Sequence, residues 1–471
     1  MRTVRDWFQD TTGGLPRTFW YLWTGTLINR LGSFVIIFLA IYLTEVRGFD
    51  EFQAGLVLGL WGAGGAAGTL TGGVLADRWG RRPTLLTAHL GAATMMLALG
   101  FARELWMVAL GALLLGMFAE AARPAFSAMM IDVVPERDRL RAFTLNYWAI
   151  NLGFACAATL AGLAAEAGYL LLFVVDAATT LTTAAVIFLK VGETRSARGG
   201  QQPQAQAHGQ QSQAHGQQSQ AHGRQPQAHG QPTAPLAAPH RGGLRTALSD
   251  RVFVGFVALN VLLALVFMQH VSMLPIAMSQ DGLSPSTFGA VIAVNGVLIV
   301  AGQLFVPRLI RGRSRSHVLA LAALVVGVGF GLTAFADAAW FYVLTVLIWT
   351  LGEMLNSPSN STLIAELSPS ALRGRYQGVF SLSWSLATFA APVAGGFVRD
   401  RLGDSALWIG CAAIGGVVAV AHLLSGPARE RRAAELRTPP TSPAPRSTTP
   451  TGPAGQGTAL AGTGTGTGTG V

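Results

Sequence analysis

Charged side chains are scarce in this sequence: Asp, Glu, Lys and Arg make up 12% of the 471 residues, against ~25% in an ordinary soluble domain. Lysine is almost missing, since Lys190 is the only one. The two cysteines, Cys156 and Cys411, both lie inside apolar runs, and we expect them to be packing residues rather than a disulfide. With 51% hydrophobic residues, the chain does not have the composition of a set of soluble domains.

Motifs of common enzyme classes are missing as well. The sequence has no HExxH metal motif and no GxSxG elbow, and Lys190 does not belong to a phosphate-binding loop. We therefore predict that the protein is not an enzyme and uses neither a cofactor nor a metal ion. The net charge of +10 is almost entirely arginine. In a membrane protein that excess sets orientation, so we do not expect nucleic-acid binding.

Long apolar runs fill most of the chain. A helix needs ~20 apolar residues to cross a bilayer, and twelve runs reach about that length. The first run lacks a small-residue cleavage site, so we predict no cleavable signal peptide. The predicted fold class is an all-α integral membrane protein with twelve spans, at residues 17–44, 51–76, 83–101, 105–130, 141–166, 169–190, 250–278, 286–310, 317–336, 338–365, 376–398 and 405–424.

The spans form two sets of six with polar segments around them. We divide the chain into an N-terminal segment, a first bundle, a linker, a second bundle and a tail. The linker repeats Ala-His-Gly every seven residues without an apolar seam, so we predict disorder; metal binding by its histidines is the alternative. The Pro/Thr/Gly-rich tail is also predicted to be disordered. The boundaries are 1–16, 17–190, 191–247, 248–425 and 426–471.

The most distinctive segment is the loop between spans 2 and 3, at residues 72–83. A glycine there lets a neighbouring helix approach closely, and Asp77 at a helix end can meet the positive N-terminus of another helix. The pattern G-x-L-a-D-R-x-G-R-R is matched here by Gly73, Leu75, Ala76, Asp77, Arg78, Gly80, Arg81 and Arg82. In this the segment resembles the corresponding loop of the major facilitator superfamily. The resemblance implies a two-bundle transporter in which Asp77 acts as a conformational latch.

The two halves of the chain repeat each other at a constant offset of 234 residues, so that Pro124 aligns with Pro358. Six spans in each half make this a parallel repeat, for which the substrate site lies between the halves. Family members that are antiporters often carry G-x-x-x-G-P-x-x-G-G in the fifth helix. Span 5 has a softened version that lacks the proline and has Ala157 and Ala161 in place of glycines, whereas its copy in span 11 keeps Pro392. The resemblance to antiporters is therefore partial.

Loop arginines predict the orientation. The loops at 77–83, 132–141, 308–315 and 366–375 hold twelve arginines, and the alternate loops hold four. The positive-inside rule places the first set, both termini and the linker in the cytoplasm. We predict a multi-pass protein of the plasma membrane.

Ionisable and polar groups at membrane depth are candidates for the transport site, because they are costly there without a function. The resemblance implies that spans 1, 4, 7 and 10 line the cavity. We propose that protonation of Glu353 is coupled to substrate exchange and that Arg30 holds Glu353 charged in one state; a permanent structural bridge between the two is the alternative. Asp176 in span 6 is expected to have a buried, hydrogen-bonded role. The cavity candidates are Asn29, Arg30, Glu120, Arg123, Gln269, His270, Glu353 and Asn356. Glu120 and Arg123 share a helix face, and a self-neutralising pair is their alternative role.

The resemblance also implies a cytoplasmic gate. Asp132 and Glu366 occupy equivalent positions before a proline and a basic loop. Their expected partners are Arg81 or Arg82 and Arg141 in the first half, and Arg311 and Arg375 in the second.

We predict proton-coupled export of small amphipathic or drug-like molecules by a monomer in the lipid bilayer. A uniporter or proton symporter that imports a sugar, peptide or other metabolite is the first alternative. A non-transporting membrane sensor or scaffold is the second.

Overall fold

The computed structural model describes residues 13–194, 244–302, 305–369 and 372–437, and these ranges contain helices and no strand. Twelve helices are long and apolar enough to cross a membrane, which confirms the predicted fold class. Most of the predicted linker and tail, residues 195–243 and 438–471, lie outside the described residues. The twelve spans, numbered as above, are Arg17–Val46, Glu51–Arg78, Arg81–Phe101, Leu105–Val133, Arg141–Ala167, Tyr169–Lys190, Arg251–Ser272, Pro285–Gly302, Arg315–Phe335, Ala339–Leu367, Arg375–Leu402 and Asp404–Leu424.

Several spans are interrupted or extended. Span 1 consists of the helices Arg17–Leu31 and Val35–Ile41 and a π turn, Tyr42–Val46. Span 7 breaks twice, into Arg251–Phe267, Gln269–Ser272 and Leu274–Gln280. The helices of spans 5 and 11 begin earlier, as Arg139–Ala167 and Arg373–Leu402. Shorter elements are Leu244–Ser249, Val306–Ile310, Gly426–Arg437, and the 3-10 turns Glu136–Asp138 and Thr333–Phe335, the second of which ends span 9 after Arg315–Leu332.

The described chain has two ends along the helix axes. We call the end with the loops at 79–80, 134–138 and 311–314, which contain or adjoin arginines, the basic end. The opposite end carries the connections at 47–50, 102–104, 281–284, 336–338 and 403, and we call it the distal end. Consecutive spans run in opposite directions between these two ends.

Glycines on span 2 bring it close to two other helices. Gly64, Gly68 and Gly72 lie against backbone atoms of span 4 in the same bundle, which confirms the close helix contact that their spacing predicts. Gly59 and Gly62 lie on another face, against span 11. A Cβ added to Gly59 would lie 2.8 Å from the carbonyl oxygen of Phe389, and one added to Gly62 would lie 2.7 Å from that of Thr388. Span 2 is therefore packed against both bundles.

The two bundles are joined at the distal end. Span 2 meets span 11 through Gly55 and Pro392, and span 5 meets span 8 through Gly162 and Pro285. All of these residues lie in the distal halves of their helices. An edge-to-face contact between Phe38 and Phe288, with ring centres 5.2 Å apart, adds a third link. Nearer the basic end, the glycines of span 2 pack against span 4 of the same bundle. The contacts described between the two bundles are therefore concentrated at the distal end.

The contact between spans 2 and 4 predicts a stability effect at Gly116. A Cβ at this position would overlap the backbone carbonyl oxygen of Trp61, and backbone cannot move aside as a side-chain tip can. We expect Gly116→Ala to destabilise the protein by about 1–3 kcal/mol, the usual cost of overpacking, despite the higher helix propensity of alanine. The melting temperature of the detergent-solubilised protein measures this. Gly416→Ala is the matched control, because no atom lies within 4 Å of an added Cβ there. Equal melting temperatures for the two variants would contradict the prediction.

The predicted disorder of the tail is wrong for residues 426–437, which form a helix. Arg429 is buried and donates to Ser316 Oγ over 3.0 Å, and Arg432 forms an ion pair with Asp250 over 3.1 Å. Burial lowers the pKa of Arg429 to about 10. The segment Ala-Arg-Glu-Arg-Arg-Ala-Ala-Glu-Leu-Arg consists of strong helix formers, and grouping it with the Pro/Thr/Gly-rich remainder obscured that local preference.

Candidate transport site

Arg30 lies at the end of the first helix of span 1, among helices of its own bundle. Its Cβ packs against Gly153 of span 5. Its electrostatic neighbours are Arg123 and Glu120 of span 4 and Asp176 of span 6. The guanidinium forms no hydrogen bond or ion pair with any residue that the structure describes. The preceding residue, Asn29, donates to Thr180 Oγ1 over 3.0 Å and so fastens span 1 to span 6.

Glu120 and Arg123 form an ion pair, with 2.8 Å between Arg123 Nε and Glu120 Oε2. The arginine side chain is 56% exposed and the glutamate side chain 18%. The i,i+3 spacing thus brings the two together, as in the self-neutralising pair that is the alternative to their role in the cavity. Because much of the Arg123 side chain remains open, its guanidinium can still reach a further anionic group.

Glu353 of span 10 has a neutral partner. Asn295 Nδ2 of span 8 donates to Glu353 Oε2 over 2.9 Å and to Thr350 Oγ1 over 3.1 Å. The structure does not bring Arg30 and Glu353 together, and within the described ranges Glu353 forms no ion pair. In this conformation the pair is not formed, because the neighbours of Arg30 belong to the first bundle. Asn356, three residues further along span 10, is half-buried.

Span 7 contributes one structural residue and one aromatic surface. Gln269 is only 4% exposed and its Nε2 donates to the carbonyl oxygen of Ala391 over 3.0 Å. We therefore assign Gln269 to the packing of spans 7 and 11, which corrects its expected place in the cavity. His270 is half-buried and its ring lies 4.6 Å from Phe267, which also contacts Trp384 at 6.1 Å.

The basic loop after span 2 is fixed by residues that follow span 6. Arg81 forms the predicted ion pair with Asp132, 3.1 Å from Nε to Oδ2. Glu193 accepts hydrogen bonds from the backbone amides of Arg81 and Arg82 over 3.1 and 3.0 Å, and Thr194 donates to Asp132 over 3.0 Å. Sequence reasoning missed Glu193 because it placed the residue in the disordered linker.

The close helix contact predicted for this segment is made by a different glycine, and a further glycine is required by the backbone conformation. Gly72, rather than Gly73, makes the close contact, because the nearest atom to an added Cβ at Gly73 is 3.9 Å away. Gly80 has φ +113°, a conformation that favours glycine, and an added Cβ would lie 2.6 Å from Glu193 Oε2. Asp77 and Arg78 are both exposed at the end of span 2, and in the part of the chain that the structure describes Asp77 has no hydrogen bond or ion pair.

The remaining gate pairs are not formed in this conformation. Arg141 bonds to Asp138 over 3.4 Å and to the carbonyl oxygen of Gly13 over 2.8 Å, instead of to Asp132. The 3-10 turn Glu136–Asp138 explains this difference, because it places Asp138 one helical turn before Arg141. Across residues 305–369 and 372–437, Glu366 forms no ion pair with Arg311 or Arg375.

A buried ionic cluster at the distal end was missed by the sequence analysis. Arg399 of span 11 is only 3% exposed and lies 2.9 Å from Asp404 Oδ1 of span 12 and 3.5 Å from Glu51 Oε2 of span 2. It also donates to Gln280 Oε1 over 2.7 Å, and Gln280 Nε2 donates to Glu51 Oε1 over 2.7 Å. We call Arg399, Glu51, Asp404 and Gln280 the distal clamp. It connects the two bundles, since Glu51 belongs to the first and the others to the second.

Twelve spans in two bundles, with ionisable side chains at membrane depth, define a multi-pass membrane transporter. The sequence model of the Major Facilitator Superfamily matches residues 22–392. The chain belongs to this superfamily. The superfamily and the curated relatives that this chain matches are transporters, not enzymes.

Curated relatives are similar at low identity. A "Na(+), Li(+), K(+)/H(+) antiporter" of Planococcus maritimus is 24% identical over 427 residues, covering 83% of this chain and 90% of the relative. "Multidrug resistance protein MdtH" of Escherichia coli is 22% identical over 389 residues, covering 82% and 87%. A solved POT family transporter in complex with 5-aminolevulinic acid superimposes with a TM-score of 0.70 at 13% identity, covering 89% of this chain and 98% of that chain. At that identity the last likeness concerns the fold alone.

Proposed function

We propose that this transporter is a proton-coupled exporter of small amphipathic or drug-like molecules, with Glu353 as the proton carrier. The observation that carries the proposal is the partner of Glu353, a neutral amide from Asn295 at 2.9 Å and no cation among the described residues. A carboxyl group in this setting can take up and release a proton without breaking an ion pair. The distant relationships to a cation/proton antiporter and a multidrug resistance protein support it.

The orientation follows from the arginines. We infer that the basic end faces the cytoplasm, since cytoplasmic loops carry the excess of arginine. The bundles are joined at the distal end by the distal clamp and by Phe38 and Phe288. The conformation described here is then the one in which an exporter receives its substrate from the cytoplasm.

The side chains on offer suit an amphipathic substrate. Phe267, His270 and Trp384 present half-buried rings from spans 7 and 11, and aromatic faces bind apolar groups without demanding a particular polar pattern. Arg30, half-buried and unpartnered in the described ranges, provides a polar counterpart in the other bundle. A flat apolar molecule with one polar group matches this combination.

A second candidate is exchange of monovalent metal cations for protons. Glu353 Oε2 and Thr350 Oγ1 both lie within 3.1 Å of Asn295 Nδ2, and carboxylate, hydroxyl and amide oxygens are the ligands that hard cations prefer. Turning the Asn295 amide by half a rotation would bring its oxygen to the same point. A curated relative whose name includes Na(+), Li(+) and K(+) favours this candidate.

Inverted membrane vesicles separate these functions. The vesicles are acidified inside, and a pH-sensitive probe reports proton release when compounds are added outside. These are either a panel of hydrophobic organic dyes that are neutral, anionic or cationic, or NaCl, LiCl and KCl. Release on addition of the organic dyes supports the exporter, and release by the salts alone supports the cation exchanger. Movement of an organic dye without proton movement would contradict proton coupling.

Asp77 should affect transport without affecting the amount of protein. In this conformation it is exposed and unpartnered among the described residues, so any stabilising contact of its carboxylate belongs to the other conformation. We expect Asp77→Asn to favour the described conformation and to lower transport severalfold at normal abundance. Uptake rates normalised to immunoblot intensity test this. Glu136→Gln, which neutralises an exposed carboxylate of the next basic loop, is the control, and normal transport by Asp77→Asn would remove the latch.

A further inference from the structure

Span 1 contains a hinge that is held by a carboxylate of span 6. The first helix ends at Leu31 and the second begins at Val35, leaving Gly32, Ser33 and Phe34 between them. A Cβ at Gly32 would overlap Thr179 Oγ1, so only glycine lets the hinge approach span 6 so closely. The hinge is therefore a built feature of the packing between spans 1 and 6.

The carboxylate of Asp176, from span 6, lies at the N-terminus of the second helix of span 1. The backbone N–H of Val35 donates to Asp176 Oδ2 over 3.1 Å, and the Phe34 amide also faces this carboxylate. Asp176 is only 3% exposed. A carboxylate that accepts backbone amides at a helix start offsets the positive end of that helix. The bond is charge-assisted, and such bonds are roughly twice as strong as neutral ones.

The helix that Asp176 holds closes the distal end. Residues 35–43 are almost completely buried except for Ile36. The helix Val35–Ile41 contacts the second and third helices of span 7, Gln269–Ser272 and Leu274–Gln280, in the other bundle. Phe38 reaches Phe288 of span 8. Opening of the distal end requires this helix to leave spans 7 and 8, and the hinge at 32–34 is where the chain can bend.

One cation, Arg30, acts electrostatically on Asp176, and other charged groups act on Arg30 in turn. Arg30, two residues before the hinge, is the charged group in electrostatic range of Asp176. Glu120 and Arg123 of span 4 and His89 of span 3 interact with Arg30 in turn. Span 5 brings Gly153, without charge, against Arg30. Within the described ranges Asp176 forms no ion pair. A change in its charge therefore alters the hydrogen bond at the hinge and does not break a salt bridge.

We propose that Asp176 is a positioning residue that couples protonation to closure of the distal end. Ionised, it holds the second helix of span 1 against spans 7 and 8; protonated, it loses the charge-assisted bond to Val35, and the helix moves away. The inference rests on the proposed proton-coupled exchange. In that cycle a proton arriving from the outside favours the conformation open to the outside, and its loss restores the described conformation.

The test follows the distal end as a function of pH. Spin labels at Arg103→Cys and Asp337→Cys, in a background of Cys156→Ser and Cys411→Ala, report a distance across the distal end; both residues are exposed and belong to different bundles. We call these two labels the distal label pair. In the otherwise unchanged protein we expect the distance to lengthen on acidification. Asp176→Asn should give the long distance already at alkaline pH and lose the pH-dependent shift.

A matched control distinguishes protonation from packing. Thr180→Val removes a hydrogen bond between the same two spans, to Asn29, but no titrating group, and should keep the pH-dependent shift. Asp176→Ser, a neutral residue that can still cap a helix, replaces Asp176→Asn if that variant fails to fold, with the same expected result. A normal pH-dependent shift in the neutral variants, or an equal loss in Thr180→Val, would overturn the proposal, as would a distance in the parent protein that is independent of pH.

Failure of the proposed function would look different. Absence of substrate-driven proton release in vesicles would refute proton-coupled export, while the distal label pair would still respond to pH through Asp176. Conversely, normal proton release together with a pH-independent distance would refute the role of Asp176 alone.

Discussion

Replacing Glu353 by glutamine should reduce substrate-driven proton release to the level of vesicles without the transporter. Glutamine keeps the shape of the side chain and its oxygen can still accept the hydrogen bond that Asn295 donates over 2.9 Å, but it cannot bind or release a proton. The protein should therefore fold and bind substrate normally while the exchange step fails. Proton release and substrate binding, measured on the same membranes, separate the two effects.

Two further variants make this result specific. Glu353→Asp retains a carboxyl group and should keep partial proton release. Glu166→Gln neutralises an exposed carboxylate at the distal end of span 5 and should behave like the unchanged protein. Full proton release by Glu353→Gln would assign Glu353 to packing against Asn295 and would move the proton to another group, of which Asp176 is the most buried carboxylate described.

The twelve spans were predictable because each depends on local composition. Apolar length sets a span, and helix ends follow from loops with glycine, proline or charge. The helix Gly426–Arg437 had a local signal that was overlooked, whereas the break in span 1 required the structure. The break arises where Asp176 of span 6, more than 140 positions away, supplies a partner for the amide of Val35. Such a long-range contact leaves no pattern in the local sequence.

The candidate site was predictable in residue types but not in partners. Charge at membrane depth is the feature that made Arg30, Glu120, Arg123 and Glu353 candidates. It also suggested an Arg30–Glu353 pair, because Glu353 has no partner on its own helix and Arg30 was the most obvious opposite charge across the expected cavity. In the structure Arg30 remains among carboxylates of its own bundle. Partner choice depends on side-chain direction and bundle separation, which periodicity does not determine.

The distal clamp was missed for a related reason. Arg399 was counted only as one of four arginines of the distal loops, where single charges usually carry little information. Gly55, Gly59 and Gly62 of span 2 were the available signal, since glycines on a second face indicate a second close helix contact. That contact places Glu51, at the first turn of span 2, next to the end of span 11. Alternating access then requires the clamp to open whenever the distal end does.

Removing the cation of the distal clamp should open the distal end. Arg399 is 3% exposed and pairs with both Asp404 and Glu51, so Arg399→Met removes the cation that these two carboxylates share across the bundle interface. Loss of one partner from a buried ion pair costs 3–5 kcal/mol. Because the Asp404 and Glu51 side chains are 40% and 18% exposed, solvent screening reduces this to about 2 kcal/mol, or roughly 30-fold in the conformational equilibrium.

The distal label pair measures this equilibrium directly. We expect Arg399→Met to give mainly the long distance at neutral pH. The matched control is Arg401→Met on the same helix, since Arg401 is 71% exposed and pairs only with Asp400 in the described structure; it should leave the distance unchanged. If Arg399→Met kept the short distance, the glycine contacts of span 2 with span 11 and of span 5 with span 8 would be sufficient to close the distal end, and the clamp would contribute only to local order.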